Sequence, residues 1–92
     1  MAEIKITHGY SMRREQLISQ LDKLAVEMHS RYQLDCSWKS DSCLAFKRSG
    51  ASGEVIITDK ELLLTIKMGM LLGAFKSTIE QDIKKFLHEN VK

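Results

Sequence analysis

Cysteine is scarce in this sequence, because Cys36 and Cys43 are the only two thiols among 92 residues. Two cysteines are too few for the disulfide framework of a small secreted protein, and their spacing is not that of metal ligands. The sequence therefore indicates neither a disulfide scaffold nor a cysteine-bound metal ion.

An excess of charge of one sign is also lacking. The chain has 14 basic and 12 acidic side chains, with a formal net charge of +2, and they are scattered along the sequence. This balance is a weak argument for nucleic acid as a partner.

Long hydrophobic runs are missing too. The first ten residues, MAEIKITHGY, contain no apolar signal core, and the longest apolar stretch, Met68 to Phe75, is far too short to span a bilayer. These absences predict a cytoplasmic protein without a membrane span. The remaining composition, 43% hydrophobic and 28% charged, is that of one globular domain over residues 1–92.

The first two elements are indicated by a change of period. Ile4 and Ile6 alternate with polar residues, which predicts a strand that ends at the turn-like HGY. From Ser11, a reasonable helix N-cap, apolar residues recur at helical spacing as far as about Arg31. The stripe of this helix consists of Leu17, Leu21, Leu24 and Met28.

A hairpin is predicted over residues 34–48. Five apolar residues alternate there and are all even-numbered: Leu34, Cys36, Trp38, Leu44 and Phe46. Directly opposed residues of an antiparallel pair share a face, so Trp38 should lie opposite Leu44. The next pair away from the turn is then Cys36 with Phe46.

This register has two consequences. It leaves residues 40–42 as a three-residue loop in which Asp41 takes the left-handed conformation. It also turns Cys36 inward and Cys43 outward, near Lys47, so the two thiols cannot form a disulfide with each other.

A loop and a second hairpin follow. Residues 49–53, SGASG, are the clearest loop, since glycine and serine give backbone freedom and little to pack. The next two strands turn at residues 59–60. The face meant for the core carries Val55, Ile57, Leu62 and Leu64. Ile56 and Leu63 form an apolar pair on the opposite face.

The last segment predicts a second amphipathic helix. A capping box at Ser77 would begin it, but Phe75 already fits the apolar stripe, which favours a start near Gly73. The stripe consists of Leu72, Phe75, Ile79, Ile83, Phe86 and Leu87. The fold class is α+β in two layers, with an antiparallel sheet, two helices on one face and the order β-α-β-β-β-β-α.

Residues 46–87 read FKRSGASGEVIITDKELLLTIKMGMLLGAFKSTIEQDIKKFL. This stretch resembles the bacterial polyhydroxyalkanoic acid system family, small proteins associated with polyester storage granules, and the resemblance covers nearly the whole chain. The family's turn F-x-R-x-G-x-x-G, strand L-x-L, segment L-G-x-L-L and helix start L-K-x-x-I-E occur here in the same order. They correspond to Phe46, Arg48, Gly50 and Gly53; Leu62 and Leu64; Met68 to Leu72; and Phe75 to Glu80. Upstream, His8 to Tyr10 is similar to the family's H-x-L, and Trp38 to Asp41 to its W-x-G-D.

The sequence departs from the family at two points. Ser40 stands where members often have glycine, and Ala74 where they often have proline. Neither departure should change the fold. The resemblance implies association with the polyester system and supplies no catalytic site.

Residues that could carry chemistry are better explained structurally. His8, His29 and His88 lie in different elements without metal-ligand spacing, so we assign them no catalytic or metal-binding role, and His8 is expected to satisfy backbone groups after the first strand. Cys43 has no base or orienting partner for nucleophilic catalysis. The loop SGASG lacks the lysine and helix entry of a phosphate loop.

A basic surface for nucleic acid is a further candidate. It would consist of Arg13, Arg14, Lys47, Arg48, Lys84 and Lys85. Sheet-based RNA readers need exposed aromatic side chains, and Trp38 and Phe46 are both predicted to face inward. A solvated surface is therefore favoured.

The apolar stretch before the last helix has more large side chains than one core face can take. Met68, Leu72 and Phe75 can meet the demand of the core alone. Met70 and Leu71 are left over, and with Ile56 and Leu63 they are predicted to contact something outside the domain.

These observations predict a non-catalytic accessory protein of the polyhydroxyalkanoate storage system, without cofactor or metal, which contacts an apolar surface or partner. Its location would be cytoplasmic, at the granule, and its partners the granule surface or granule proteins. One alternative is a structural homodimer that uses the apolar patch as its interface. The other is a carrier of a small hydrophobic ligand, with a pocket between the last helix and the sheet.

Overall fold

The computed structural model describes residues 2–69 and 73–92 of the chain. Its elements follow the predicted order β-α-β-β-β-β-α. They are β1 (Ala2–Gly9), α1 (Arg14–Tyr32), β2 (Asp35–Ser40), β3 (Cys43–Arg48), β4 (Ala51–Ile57), β5 (Glu61–Met68) and α2 (Lys76–Asn90).

The five strands form one antiparallel sheet in the order β1-β5-β4-β3-β2. The first strand therefore pairs with the last, and α1 crosses the sheet from one edge to the other. Both helices pack on the same face, because every strand buries only one of its two alternating sides against them. The predicted two-layer α+β fold is confirmed.

A single apolar cluster joins the two layers. The helices contribute Leu17, Leu21, Leu24 and Met28 from α1, and Ile79, Ile83 and Leu87 from α2. Each of these side chains is at most 2% exposed. Burial of one such side chain is worth about 1.5–3 kcal/mol, so the stripes hold the helices on the sheet. Among the described residues no polar or charged residue is buried in this core.

The start of α1 differs from the prediction. Ser11 does not cap the helix, which begins at Arg14 with Arg13 as its N-cap residue. The backbone N–H groups of Ser11 and Met12 instead donate to the carbonyl oxygen of Lys92, at 2.8 and 3.0 Å. Ser11 therefore binds a residue distant in sequence, although its local preference indicated a helix cap.

The first hairpin has the predicted register but a different turn. Trp38 lies opposite Leu44, as predicted, but Ser40 pairs with Cys43 after a register shift. The turn therefore contains only residues 41 and 42, and the extra residue is absorbed at Lys39 as a bulge. The prediction of a left-handed Asp41 is wrong, because Gln33 is the non-glycine residue with positive φ among those described.

The loop predicted at residues 49–53 is much shorter. Only Ser49 and Gly50 connect the strands, and Gly50 takes the left-handed φ of 85° that glycine tolerates best. Gly53 belongs to β4, where it lies opposite Phe46 on one side and Ile66 on the other. The composition of residues 51–53 indicated a loop, but their backbone belongs to β4.

The start of α2 also differs. The helix begins at Lys76, neither at Gly73 nor at Ser77, and Phe75 is its N-cap residue. Phe75 is 51% exposed, so the prediction that it belongs to the buried stripe is wrong. Its φ and ψ of −100° and 7° are not helical, and the helical period therefore does not place its side chain. Leu72, also predicted in this stripe, lies outside the described residues.

Candidate contact surface on the outer face of the sheet

The outer face is the side of the sheet that α1 and α2 do not cover. Ile56 of β4 lies directly opposite Leu63 of β5, as the second hairpin predicted. Both side chains point away from the helices and are 38% exposed. We call Ile56 and Leu63 the apolar pair.

The turn between the strands fixes this arrangement. Thr58 donates its backbone N–H to the carbonyl oxygen of Glu61 at 2.9 Å, which sets the register of β4 and β5. The inward neighbours of the apolar pair are all at most 5% exposed. They are Val55, Ile57, Leu62 and Leu64. Because side chains alternate along a strand, the apolar pair cannot join them in the core.

The rest of the outer face is more polar. Cys43 and Thr7 flank the apolar pair in the same row across the sheet. The next row contains Glu54, Thr65 and Lys5. The row beyond it contains Glu3, Lys47, Ser52 and Lys67. The exposed apolar surface of the sheet is thus concentrated near the β4–β5 turn.

Two predicted contact residues, Met70 and Leu71, lie outside the described residues. The chain reaches them from Gly69, which follows the end of β5. Five residue steps separate Leu63 from Met68, a distance of about 17 Å along the strand. The end of β5 from which residues 70–72 continue is therefore far from the apolar pair.

The outer face also has a groove, whose lining does not include Ile56 or Leu63. It has a volume of about 640 Å³ and lies between the strands β2, β3 and β4. Its lining includes Asp35, Lys39, Lys47, Ser37 and Ser52. Opposite charges are mixed in it, and Phe46 is 2% exposed, so it offers no aromatic platform for bases. The basic residues that were considered as a nucleic-acid surface are spread over α1, α2 and the sheet.

The two cysteines face opposite sides, as predicted. Cys36 lies on the helix side, where its thiol donates to the carbonyl oxygen of Ala25 at 3.6 Å. Burial, and then the charge of Asp35, raises the pKa of Cys36 to about 11. Cys43 contacts Glu54 at 3.5 Å rather than Lys47, and burial followed by the Glu54 carboxylate raises its pKa too. A raised pKa disfavours the thiolate, which is the nucleophilic form.

This geometry predicts that Cys43 reacts with iodoacetamide at least about tenfold faster than Cys36, because Cys36 faces the helices, where burial raises its pKa to about 11. Alkylation of the native protein, followed over time by mass spectrometry of its peptides, measures both rates. The unfolded protein is the control, and there the two rates should converge. Equal rates in the folded protein, or a Cys36–Cys43 disulfide, would contradict the observed register.

The histidines make structural contacts. The ring nitrogen Nε2 of His8 lies 2.8 Å from the carbonyl oxygen of Val91, which is a backbone group distant in sequence and not, as was predicted, one that follows the first strand. Nδ1 of His29 lies 3.3 Å from the carbonyl oxygen of Leu34, and His88 is exposed on α2. Within residues 2–69 and 73–92 no group of three or more metal-ligating side chains is found.

A polar cluster between the helices was not found from the sequence. Asp82 of α2 accepts a hydrogen bond from the hydroxyl of Tyr32 and one from Arg31 at 3.0 Å, both at the end of α1. Burial, and then the hydrogen bond to Asp82, raises the pKa of Tyr32 to about 12. The only signal in the sequence was an acidic residue beside the apolar stripe of α2. The cluster fixes the two helices to each other.

A comparison with protein families matches residues 4–91 to the family described as "Putative polyhydroxyalkanoic acid system protein". The chain belongs to this family. The match covers α1, α2, four strands and β1 from Ile4 onward, which confirms the resemblance seen in the sequence motifs. No curated protein and no solved structure shows significant similarity to the chain.

Two further features of this polyhydroxyalkanoic acid system protein bear on its role. The cavity between α2 and the sheet, lined by Ile66, Met68 and Ile79 among others, has a volume of only about 10 Å³. A site for a small molecule usually needs about 300 Å³ or more, so this cavity does not favour the carrier alternative.

In the part of the chain that is described, neither helix has the length and apolar character needed to cross a membrane.

Proposed function

We propose that this protein is a non-catalytic accessory of polyhydroxyalkanoate storage that works in the cytoplasm at the polyester granule. It contacts the granule surface, or a protein on it, through Ile56, Leu63, Met70 and Leu71. The observation that carries the proposal is the apolar pair, which sits on the uncovered face of the sheet at 38% exposure for each side chain.

The energetics favour an external contact for the apolar pair. Full burial of one such side chain is worth about 1.5–3 kcal/mol, and the alternation of β4 and β5 prevents the core from providing it. An apolar polyester surface would provide that burial without any change of fold. Family membership supports the same context, because the family is that of a polyhydroxyalkanoic acid system protein.

The absence of an assigned catalytic residue rests on the contacts of the candidate groups. His8 and His29 are within hydrogen-bond distance of backbone carbonyl oxygens. The pKa of each cysteine is raised, which keeps the thiols protonated at neutral pH. The proposal therefore assigns the protein a binding role.

Two double variants test this role. Threonine is β-branched and suits a strand, so changing Ile56 and Leu63 to threonine removes apolar area without disfavouring the strands. This double variant should weaken sedimentation with purified polyester granules by about tenfold. Changing Met70 and Leu71 to serine should weaken the same binding. In both variants thermal unfolding should stay close to that of the wild type.

The matched control is Val26→Thr on α1. Val26 is 69% exposed but lies in the helical layer, so this variant loses apolar area without affecting the outer face. It should bind granules like the wild type. Granule binding that survives both double variants would refute the proposal. If the Met70 and Leu71 variant unfolds with a loss of several kcal/mol, these two residues belong to the core.

A further inference from the structure

The edge strand β1 has a regular row of free backbone groups. The backbone N–H of Tyr10 donates to the carbonyl oxygen of Lys60 at 3.0 Å, in the same register that pairs His8 with Leu62. In an antiparallel ladder the bonded residues alternate, so the even-numbered residues of β1 bond to β5. The N–H and C=O groups of Glu3, Lys5 and Thr7 then point away from the sheet.

The two edges of the sheet differ in how they are protected. The strand β2 is six residues long and its register shifts before Ser40. The strand β1 is eight residues long, and its register with β5 is unbroken from Ala2 to Gly9. No other strand among the described residues pairs with its outer side. Bulges and short length protect an edge against pairing, and β1 has neither protection.

Only part of this edge is accessible. His8, Ser11 and Met12 bind the backbone of Val91 and Lys92, which therefore lie beside the last residues of β1. At the other end of β1, Gly73 lies beside Ala2, and a Cβ atom added to Gly73 would be 3.5 Å from that of Ala2. The accessible stretch therefore runs from Glu3 to Thr7. Its exposed side chains include Glu3 and Lys5, whose carboxylate and ammonium groups are 3.1 Å apart along the strand.

We propose that β1 pairs with β1 of a second copy of the chain, antiparallel and with the two-fold axis at Ile4. This register places Glu3 opposite Lys5 of the second copy, twice by symmetry, and both residues have outward backbone groups. Directly opposed charges of opposite sign stabilise a strand pair, and like charges destabilise it. Each edge therefore carries the charge pattern complementary to itself.

The neighbouring registers fit less well. An axis at Lys5 would place the two Lys5 side chains opposite each other, where they repel. An axis at Ile6 would place Gly9 opposite Glu3, beside the segment that Val91 and Lys92 occupy. The charge pattern and the position of the C-terminal segment both select Ile4.

The pairing has a consequence for granule contact, and this part rests on the proposed function. A two-fold axis at a shared strand edge stands perpendicular to the sheet, so the outer faces of both copies point in the same direction. The dimer would present two apolar pairs to one surface. Two linked contacts bind more tightly than one because the second forms at a high effective concentration.

Charge reversal tests the pairing by sedimentation equilibrium over a range of protein concentrations. We expect wild-type dimers, and dimerisation weakened by about tenfold or more in Glu3→Lys and in Lys5→Glu, since each variant places like charges opposite each other. Mixing the two variants should restore dimerisation, because one chain then has lysine at both positions, the other has glutamate at both, and every opposed pair is of opposite sign. Within each variant strand, residues 3 and 5 carry like charges and still repel each other after mixing. Restored dimerisation would therefore report the charge pairs between the two chains.

Hydrogen exchange gives a second measurement without any substitution. The amides of Glu3 and Lys5 should exchange more slowly as the concentration of wild-type protein rises, while the exposed Thr58 to Lys60 turn stays unchanged. If the wild-type protein is monomeric at about 1 mM, the dissociation constant of the dimer is higher than about 1 mM, and the proposal is overturned. A dimer indifferent to the reversals, or not restored by the mixture, would overturn it too. Granule binding by the monomeric variants would leave the proposed function intact.

Discussion

Gly53→Ala is expected to destabilise the protein by about 3 kcal/mol or more, at the upper end of what overpacking costs. A Cβ atom at this position would collide with the carbonyl oxygen of Thr65 and would lie 2.9 Å from the Cα atom of Ile66. Both atoms belong to the backbone of β5 and cannot turn aside as a side chain would. Relief requires β4 to move away from β5, which breaks their ladder. Chemical denaturation of both proteins measures the loss.

Gly9→Ala is the matched control, because it makes the same change in another strand of the same sheet. Its Cβ would meet only the carbonyl oxygen of Lys60, at 3.8 Å, which is an ordinary contact. Its stability should stay within about 0.5 kcal/mol of the wild type, as for surface substitutions in general. If both variants lose the same stability, β4 and β5 do not approach as closely as described.

Leu24→Ala is expected to cost about 2–5 kcal/mol, because it leaves a cavity where α1 packs on the sheet. Leu24 is 0% exposed and belongs to the cluster that joins the two layers. A domain of this size has a free energy of unfolding of only about 5–15 kcal/mol, so the loss would be a large fraction of the total. Thermal and denaturant unfolding should both record it.

Val26→Ala is the control for this variant, only two residues further along the same helix. Val26 is 69% exposed, so little burial is lost. Alanine is also the better helix former, and the variant should therefore be as stable as the wild type or slightly more stable. A Leu24→Ala protein as stable as Val26→Ala would show that α1 is not seated on the sheet as described.

Leu24 and Gly53 show what the sequence could and could not predict. The burial of Leu24 was predicted, because its stripe repeats at helical spacing. The constraint at Gly53 was not, since glycine beside serine reads as a loop. The register of β4 and β5 was predicted, but residues 49–53 were assigned to a loop, so the close approach of the β5 backbone to Gly53 was not.

Two sequence-based predictions of the fold were wrong because backbone groups took a partner that the local pattern had not indicated. Ser11 binds the backbone of Lys92 instead of capping α1. The hairpin turn contracts because Ser40 still pairs with Cys43. In each case the backbone groups found a bond that local preference did not anticipate.

The candidate contact surface was also predicted only in part. The apolar pair followed from the register of one hairpin, because alternation sends Ile56 and Leu63 to the face opposite Val55 and Leu64. That α1 and α2 leave this face uncovered depends on where they pack. The position of β1 at an edge likewise required the sheet order, which places the first strand outside the last.

The sequence by itself determined the elements, their order, the pairing within both hairpins and membership of the family, because periodicity and short-range pairing are local properties of the chain. Only the tertiary structure decided the pairing of β1 with β5, the side of the sheet that the helices cover and the ends of the helices. These features depend on contacts between residues far apart in the chain, and their free energy comes from burial and backbone bonds that exist only when the layers assemble.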